Sequence, residues 1–459
     1  LLTPFITTPY LSRVLGPDGT GIQSYTNSVV QYFAIAAALG TASYGQREIA
    51  MHRDDREALN RLFWEIELLC AGTTAVCLVF WLGVIGCSKE YAPYYAALSM
   101  TLIAVAFDIS WFFGGLEEYG LIVLRNMAVK CVGIVLLFLF IRTKNDLLLY
   151  VALTAATGLL GNISMWGYLK PFVGKPDIRQ LKPLRHLKET LVYFIPTIAT
   201  SVYTILDKTM LGWFTDGDKS QNGYYEYATG FVNMSKILIM SFNAVMSARM
   251  SYLFGAGKLD EVRERLRGSL DFVLLLAIPI TLGLSGIAAG FVPWFLGDAY
   301  LPVIPLMYVC APLVLVVGLS DCLGSQILTP AGLRAQSGRA IVGGAVVNFI
   351  LNLILIPKFQ SYGAAAASVA AECFITLLYL RLGKGFVTLP LLWKCIWRRL
   401  IAGVCMFISV AVLGRTLVKL WGYSPAVTFL QIGAGAVLYG MILLVLRDPF
   451  IWKQVERII

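Results

Sequence analysis

Apolar stretches of about 20 residues, the length that an α-helix needs to cross a bilayer, recur along the whole chain. Hydrophobic residues make up 58% of the sequence and charged residues only 14%. This composition excludes a soluble globular protein and predicts an all-α polytopic membrane protein. We predict 14 spans, at 1–13, 21–43, 61–86, 92–113, 118–141, 146–170, 190–214, 224–248, 270–295, 300–328, 336–357, 361–383, 394–414 and 424–446.

Basic residues favour every second gap between these spans. Of the 37 Lys and Arg residues, eight lie in the alternate gaps and 26 lie around 44–61, 125, 170–188, 249–267, 334–339, 381–399 and 447–457. This bias is the positive-inside pattern, which predicts that the basic loops and both termini are cytoplasmic. Since these loops account for the net charge of +10, we expect no nucleic-acid partner.

The first predicted span is only half a helix and begins at Leu1. We therefore expect the natural chain to start about 20 residues upstream, enough to complete a spanning helix.

An internal repeat predicts two halves with the same orientation. Ser12-Arg13 in span one and Asp207-Lys208 in span seven each precede a Leu-Gly pair and an exposed turn. Such a repeat predicts two pseudo-symmetric six-helix lobes, with helices 13 and 14 as an added pair. We place the amino-terminal lobe at 1–170, a basic cytoplasmic linker at 171–189, the carboxy-terminal lobe at 190–383, and the last two helices with a cytoplasmic tail at 384–459. Residues 255–267 are predicted to form a surface helix because their charges alternate at helical spacing.

Three lysines, Lys130, Lys208 and Lys236, lie inside predicted spans, where a charge costs about 2.5–3.5 kcal/mol. Two of them belong to stripes of polar residues at helical spacing. The stripes comprise Ser24, Asn27, Ser28 and Gln31 on span two, Thr197, Ser201, Thr204 and Lys208 on span seven, and Thr229, Asn233, Lys236, Asn243 and Ser247 on span eight. Such faces line a water-filled cavity or join helices by hydrogen bonds, and the two lysines favour the cavity.

Acidic residues in or beside the spans are candidate partners for the lysines, or protonation sites for ion coupling. They are Asp108, Asp207, Asp271, Asp321 and Glu372. Arg47 and Arg249 lie at span ends, where a long side chain can reach the interface. Arg13 differs because it lies on the side with few basic residues, after Pro4 and Pro9, which are predicted to bend span one.

Enzyme chemistry has little support in this sequence. The only histidines, His52 and His186, lie in predicted cytoplasmic loops, which leaves no histidine for catalysis or metal binding within the membrane. There is no Walker A motif for ATP, and the nine cysteines lack CxxC spacing, so they predict packing positions. We expect no cofactor and no metal.

Six segments resemble bacterial polysaccharide transporters, in particular the flippases for O-antigen, capsule or teichoic-type repeat units. This family belongs to the multidrug/oligosaccharidyl-lipid/polysaccharide exporter superfamily. The segments are TTPYLSRVLGPDGTGIQSY (7–25), YGQREIA (44–50), DISWFFGGLEEY (108–119), LDKTMLG (206–212), GYYEYA (223–228) and NFILNLILIPKFQSYGAAAASVAAE (348–372).

The resemblance implies a V-shaped fold of 14 helices around a cationic central cavity, in the bacterial cytoplasmic (inner) membrane. The implied substrate is a polyprenyl-diphosphate-linked oligosaccharide, flipped to the outer leaflet by alternating access. Arg13, Arg47 and Arg249 match, helix by helix, arginines that line the cavity of the related lipid II flippases.

Basic residues would then bind the diphosphate of the substrate, and polar residues would bind its sugars. The diphosphate would be held by Arg13, Arg47, Lys208, Lys236 and Arg249, because phosphate needs a basic, hydrated site. The sugars would contact Ser24, Asn27, Gln31, Thr204, Asn233 and Asn243. We expect transport to be coupled to H⁺, Na⁺ or the membrane potential. We also expect the protein to be a monomer that interacts with polysaccharide polymerase or assembly proteins.

Other functions predict different sequence features. A multidrug/cation antiporter of the same superfamily would favour an acidic rather than a basic cavity. A glycosyl-polymerase or acyltransferase would need a large outer loop or an intramembrane histidine, and the sequence has neither. A lipid II-type flippase and a non-transporting scaffold for polysaccharide assembly stay open, although the polar stripes speak against the scaffold.

Overall fold

The computed structural model describes residues 3–175, 179–215 and 217–456, and its regular elements over these ranges are all helices. Residues 1–2 of the first predicted span, 176–178 of the predicted linker and 457–459 of the tail lie outside the described residues. The helices are α1 (Thr3–Ala38), α2 (Thr41–Met51), α3 (Arg56–Cys87), α4 (Ala92–Ala106), α5 (Ser110–Gly115), α6 (Tyr119–Phe140), α7 (Leu147–Met165), α8 (Leu187–Phe214), α9 (Ser220–Gly255), α10 (Leu259–Phe295), α11 (Val303–Cys310), α12 (Pro312–Leu323), α13 (Arg334–Leu382), α14 (Leu389–Trp421), α15 (Pro425–Val445) and α16 (Pro449–Val455).

The predicted all-α membrane fold is confirmed. Within the described ranges, 10 helical segments are long and apolar enough to cross a membrane. The 14 predicted spans fit the helices because α1 and α13 each contain two segments joined at a break, and α8 supplies the seventh span.

The breaks in α1 and α13 each lie at a single residue with positive φ. In α1 this residue is Gly16 (φ 69°), and in α13 it is Gln360 (φ 51°). Gly16 tolerates positive φ because it has no Cβ, and Pro17 disfavours a helical conformation in the residue before it. Within the described part of α1 the non-helical dihedrals occur at Gly16. The predicted bend at Pro4 and Pro9 stays a prediction.

Three short segments differ from the prediction. The predicted surface helix at 255–267 is no separate element, because α10 begins at Leu259 and runs without interruption to Phe295. Helix α2 forms inside the predicted loop 44–60, and Asp55 ends this loop by accepting hydrogen bonds from the first turn of α3. Helix α16 forms in the predicted tail, with Asp448 at its amino-terminal cap.

The helices form two compact units that differ from the predicted lobes. The amino-terminal unit holds residues 3–7 and Val14–Thr209, and the carboxy-terminal unit holds Thr8–Arg13 and the chain from Met210 onward. The division lies inside α8, so the predicted boundary at 171–189 does not separate the two units. Most of α8 packs with the helices that precede it, whereas residues 8–13 of α1 pack with helices from the other end of the chain.

The amino-terminal unit has an aromatic core around Phe63 of α3. The Phe63 ring lies 5.0 Å from that of Phe112 and 5.7 Å from that of Trp111, both on α5. These side chains are almost fully buried, as is Phe113. Edge-to-face and offset contacts of this kind are favourable for aromatic rings, and here they hold the short helix α5 against α3.

The predicted linker is docked on the amino-terminal unit through a buried carboxylate. Glu65 of α3, 1% exposed, lies 2.8 Å from His186 Nε2 and 2.5 Å from an Arg185 guanidinium nitrogen, and accepts the Lys182 amide at 2.9 Å. The Tyr44 hydroxyl lies 2.7 Å from His186 Nδ1. His186 is therefore a buried residue of the predicted linker, because a buried charge requires partners and the linker supplies them.

The carboxy-terminal unit packs α10 closely against α14 and α15. A Cβ added at Gly290 would lie 3.0 Å from the Gln431 side chain, and one added at Gly414 would lie 2.1 Å from it. The buried Gln431 amide donates to the Val410 carbonyl at 3.0 Å. Small residues therefore let these helices approach, so the added pair, α14 and α15, belongs to the core of this unit.

Candidate functional site

Lys236 is a basic residue near the middle of a spanning helix of the carboxy-terminal unit. It lies on α9, about 24 Å from the start of a helix of 36 residues at 1.5 Å per residue. Its side chain is half-buried, and Glu372 of α13 and Cys310 of α11 lie close enough to interact with it electrostatically. A charged amine at this depth needs an anionic neighbour, and Glu372 is that neighbour within the unit.

The polar stripe on α9 divides into two parts with different surroundings. Asn233 lies one turn from Lys236 and is exposed. Asn243 is fully buried and donates to the Asp321 carboxylate at 2.9 Å and to the Gly318 carbonyl at 3.3 Å, while accepting from Gln326 at 2.9 Å. These bonds cover this end of the stripe with α12 and the wider turn after it, and contact between Asn243 and a sugar stays a prediction.

Asp321 and Ser247 also serve the contact between α9 and α12. The carboxylate of Asp321 is half-buried and accepts the Asn243 amide, and Ser247 donates to the Ser325 carbonyl at 2.8 Å. These are interhelical hydrogen bonds, the alternative that the sequence left open for the stripes.

Arg13 binds the carboxyl end of α10. Its guanidinium donates to the Trp294 carbonyl in the last turn of α10 and to the Pro9 carbonyl at 2.8 Å. Helix carboxyl ends carry unpaired carbonyls and a partial negative charge, which a guanidinium satisfies well. The side chain stays exposed overall, so a role in holding phosphate stays a prediction.

Arg47 and Arg249 are both exposed, and each contacts a tyrosine side chain. Arg47, on α2, is exposed and donates to the Tyr193 hydroxyl at 2.9 Å. Arg249 is exposed, lies over the Tyr252 ring at 5.3 Å, and is about 20 Å along α9 from Lys236. The structure therefore does not gather Lys236 and Arg249 into one cluster, although both lie on the same helix.

On α8, Thr209, which follows the last residue of the predicted stripe, joins that helix to α1 within the amino-terminal unit. Ser28 and Thr209 hydroxyls lie 2.9 Å apart, and Thr209 lies 3.2 Å from the Tyr32 hydroxyl. Asp207 is buried and Lys208 half-buried, and each interacts with other residues. Thr204 is exposed and donates to the backbone of the preceding turn.

The span-two candidates lie on the second segment of α1. Ser24 is buried and Gln31 is half-buried. Asn27 lines a small cavity of about 240 Å³ inside the amino-terminal unit, together with Gln23, Thr101 and Thr154. This cavity is too small for an oligosaccharide, which needs a pocket of at least about 300 Å³.

Asp108 has a local structural role. Its carboxylate accepts both the amide and the hydroxyl of Ser110, which shapes the turn between α4 and α5. Arg125 in turn donates to the Ser110 hydroxyl at 2.7 Å and to Asn162 at 2.9 Å. These contacts make Asp108 a turn residue, and a role in ion coupling stays a prediction.

Sequence reasoning missed two buried clusters of charge. One is the Glu65 cluster, and the other surrounds Arg399 of α14, which is 1% exposed and lies 2.9 Å from Asp271 and 3.2 Å from Asp448. The available signals were the acidic pair in WEIE at the start of span three and the paired arginines at 398–399. Within the described residues, no group of His, Cys, Asp and Glu could hold a metal ion.

Comparison with known proteins decides the family. The profile of the polysaccharide biosynthesis protein family matches residues 1–252, more than half of the chain. The chain belongs to this family. The family resemblance read from the sequence is therefore confirmed.

Curated relatives of this polysaccharide biosynthesis protein are named as transporters. A "Putative O-antigen transporter" of Escherichia coli (strain K12) is 23% identical over 393 residues, covering 83% of this chain and 92% of the relative. A "Probable flippase AglR" of Haloferax volcanii is 25% identical over 469 residues, covering 97% and 92%. These relatives bear out the prediction that this family member is a transporter and not an enzyme.

Solved structures share the fold at low identity. The lipid II flippase MurJ in an inward closed conformation has a TM-score of 0.69 and 14% identity, covering 97% of this chain and 99% of its own. An inward-facing multidrug resistance MATE family transporter of the MOP superfamily also scores 0.69 at 14% identity, covering 84% and 93%. The fold of this family member is therefore the one shared by these two kinds of transporter.

Proposed function

We propose that this protein is a flippase for lipid-linked glycans, which moves polyprenyl-diphosphate-linked oligosaccharide repeat units from the cytoplasmic to the outer leaflet by alternating access. Family membership and the transporter relatives support the class of activity. The observation that carries the proposal for the substrate is the position of Lys236, a half-buried base near the middle of α9.

A base at this depth favours an anionic substrate over a cationic one. A diphosphate that crosses the membrane must exchange its hydration for charged and hydrogen-bonding partners, and an ammonium group supplies both. Glu372 interacts electrostatically with Lys236, so an anionic substrate would compete with this carboxylate for the amine. A cationic drug would meet repulsion at the same point, which weighs against the multidrug alternative.

Substitution of Lys236 tests the proposal in cells. We expect Lys236→Ala to lower surface polysaccharide by about 10-fold or more, because a hydrogen bond between charged groups contributes about 1.5–3 kcal/mol. Lys236→Arg should retain part of the activity, since the charge remains. The measurement is surface polymer per cell at equal amounts of membrane-inserted protein.

Lys130→Ala is the matched control, because Lys130 also lies within a spanning helix but is exposed on α6. It should leave polymer output near the wild-type level. A wild-type amount of surface polymer from Lys236→Ala would contradict the proposal that Lys236 binds the diphosphate of the substrate.

A further inference from the structure

The carboxy-terminal unit has an apolar cavity of about 700 Å³ where α13 ends and α14 begins. Its wall is formed by Phe374, Leu377 and Leu378, which lie on one face of α13 at spacings of three and four residues. Leu377 is 60% exposed and therefore open to the membrane side. We call this cavity the α13–α14 groove.

Two cations lie at one end of the α13–α14 groove. Arg381, in the last turn of α13, and Lys384, in the turn that follows, are both exposed and line it. No acidic side chain is among the described residues that line the groove. Arg381 is about 10 Å along the helix from Phe374, so the groove runs from a charged end to an apolar wall.

Neighbouring aromatic residues place the charged end at the membrane interface. Trp393 on α14 is 63% exposed, and Arg398 lies 5.0 Å over the Trp397 ring. Exposed Trp beside Lys and Arg is typical of the headgroup level of a bilayer. An apolar wall next to a pair of cations at this level matches a lipid with an anionic headgroup, whose acyl chain stays in the hydrocarbon.

We propose that the α13–α14 groove binds one anionic phospholipid, with its phosphate at Arg381 and Lys384 and one acyl chain along Phe374, Leu377 and Leu378. A guanidinium and an ammonium three residues apart can share the oxygens of a single phosphate. The apolar wall spans only about 6 Å, little more than one helical turn, which suits the upper part of an acyl chain rather than a long polyprenyl tail. This lipid site is independent of the transported substrate.

Native mass spectrometry of the full chain, released from phosphatidylcholine nanodiscs with and without phosphatidylglycerol, tests the site. We expect one phosphatidylglycerol molecule to stay bound in preference to phosphatidylcholine. The double substitution Arg381→Gln/Lys384→Gln should weaken this binding by about 30-fold, since each cation near the surface contributes about 1 kcal/mol. Leu377→Trp, which keeps both charges but fills the groove, should also weaken it.

The matched control is Arg334→Gln/Arg339→Gln, which removes two exposed cations from the other end of α13. It should leave the bound phosphatidylglycerol unchanged. Equal retention of the two phospholipids, or an unchanged adduct in the Arg381/Lys384 variant, would overturn the proposal. Displacement of phosphatidylglycerol by polyprenyl phosphate would reassign the groove to the substrate tail, and displacement by inorganic phosphate would reduce it to an anion site.

Discussion

Lys236 and Arg399 are both bases on membrane-spanning helices, yet their surroundings give them different roles. Arg399 is 1% exposed and forms ion pairs with Asp271 and Asp448, so its charge is balanced by carboxylates inside the protein. Lys236 is half-buried and has one acidic neighbour, which leaves its amine accessible to a ligand. At the residue scale, burial and the number of partners separate a structural base from a candidate binding base.

We expect Arg399→Met to destabilise the protein strongly. Removing the guanidinium leaves Asp271 and Asp448 partly buried without their cation, and breaking such an arrangement costs about 3–5 kcal/mol. The measurement is the thermal unfolding midpoint of the purified protein in detergent. Lys394→Met is the matched control, because Lys394 lies on the same helix and is exposed. Equal midpoints for the two variants would contradict this role of Arg399.

The sequence predicted which residues are unusual, but not which way their side chains turn. Lys236 was recognisable because it interrupts an apolar span. Arg399 counted only as one of many basic residues near a membrane boundary, since its partners are distant in sequence. For Asn243, the spacing places the residue on the polar stripe, but its burial under α12 depends on tertiary packing, which the spacing does not reveal.

At the scale of elements, the breaks inside α1 and α13 differ in how well their residues suit them. Glycine suits both Gly16 and Gly363. Gly16 has positive φ, and a Cβ at Gly363 would lie 2.4 Å from the Leu355 carbonyl oxygen. Gln360 adopts φ 51° and ψ −128° with a full side chain, a conformation that glycine adopts far more readily.

We therefore expect opposite effects from two substitutions at the α13 break. Gln360→Gly should stabilise the protein by about 1 kcal/mol, because it relieves backbone strain at an exposed position. Gly363→Ala should destabilise it, because the added methyl group would overlap the α13 backbone across the break. Thermal unfolding midpoints measure both. Gly72→Ala, where a Cβ would meet nothing within 4 Å, is the control and should change little.

Element positions were largely predictable because apolar length and polar gaps are local properties. The gap between spans eleven and twelve was placed at 358–360, where the break lies. The break in α1 lies at Gly16, beside Pro17, and this pair disfavours a continuous helix for local reasons. Helices α2 and α16 were missed because they are short and lie in charged segments.

At the scale of the whole molecule, the fold class and the family follow from patterns that run through the entire chain. The alternation of basic and neutral gaps predicts orientation, and the recurring apolar segments predict the helices. The division into units was not predictable in the same way, because it depends on which distant segments pack together. Residues 8–13 join the carboxy-terminal unit and most of α8 joins the amino-terminal one, which no local pattern signals.

Transport by the purified protein tests the central claim most directly. Liposomes that contain the protein and a polyprenyl-diphosphate-linked oligosaccharide would be treated with an impermeant sugar-modifying enzyme, and the accessible fraction followed with time. We predict that wild-type protein exposes the inner-leaflet sugar, that Lys236→Ala does so at least about 10-fold more slowly, and that Lys130→Ala matches the wild type. Inaccessible inner-leaflet sugar in all three samples, with transport of a cationic dye by the same protein, would contradict the account.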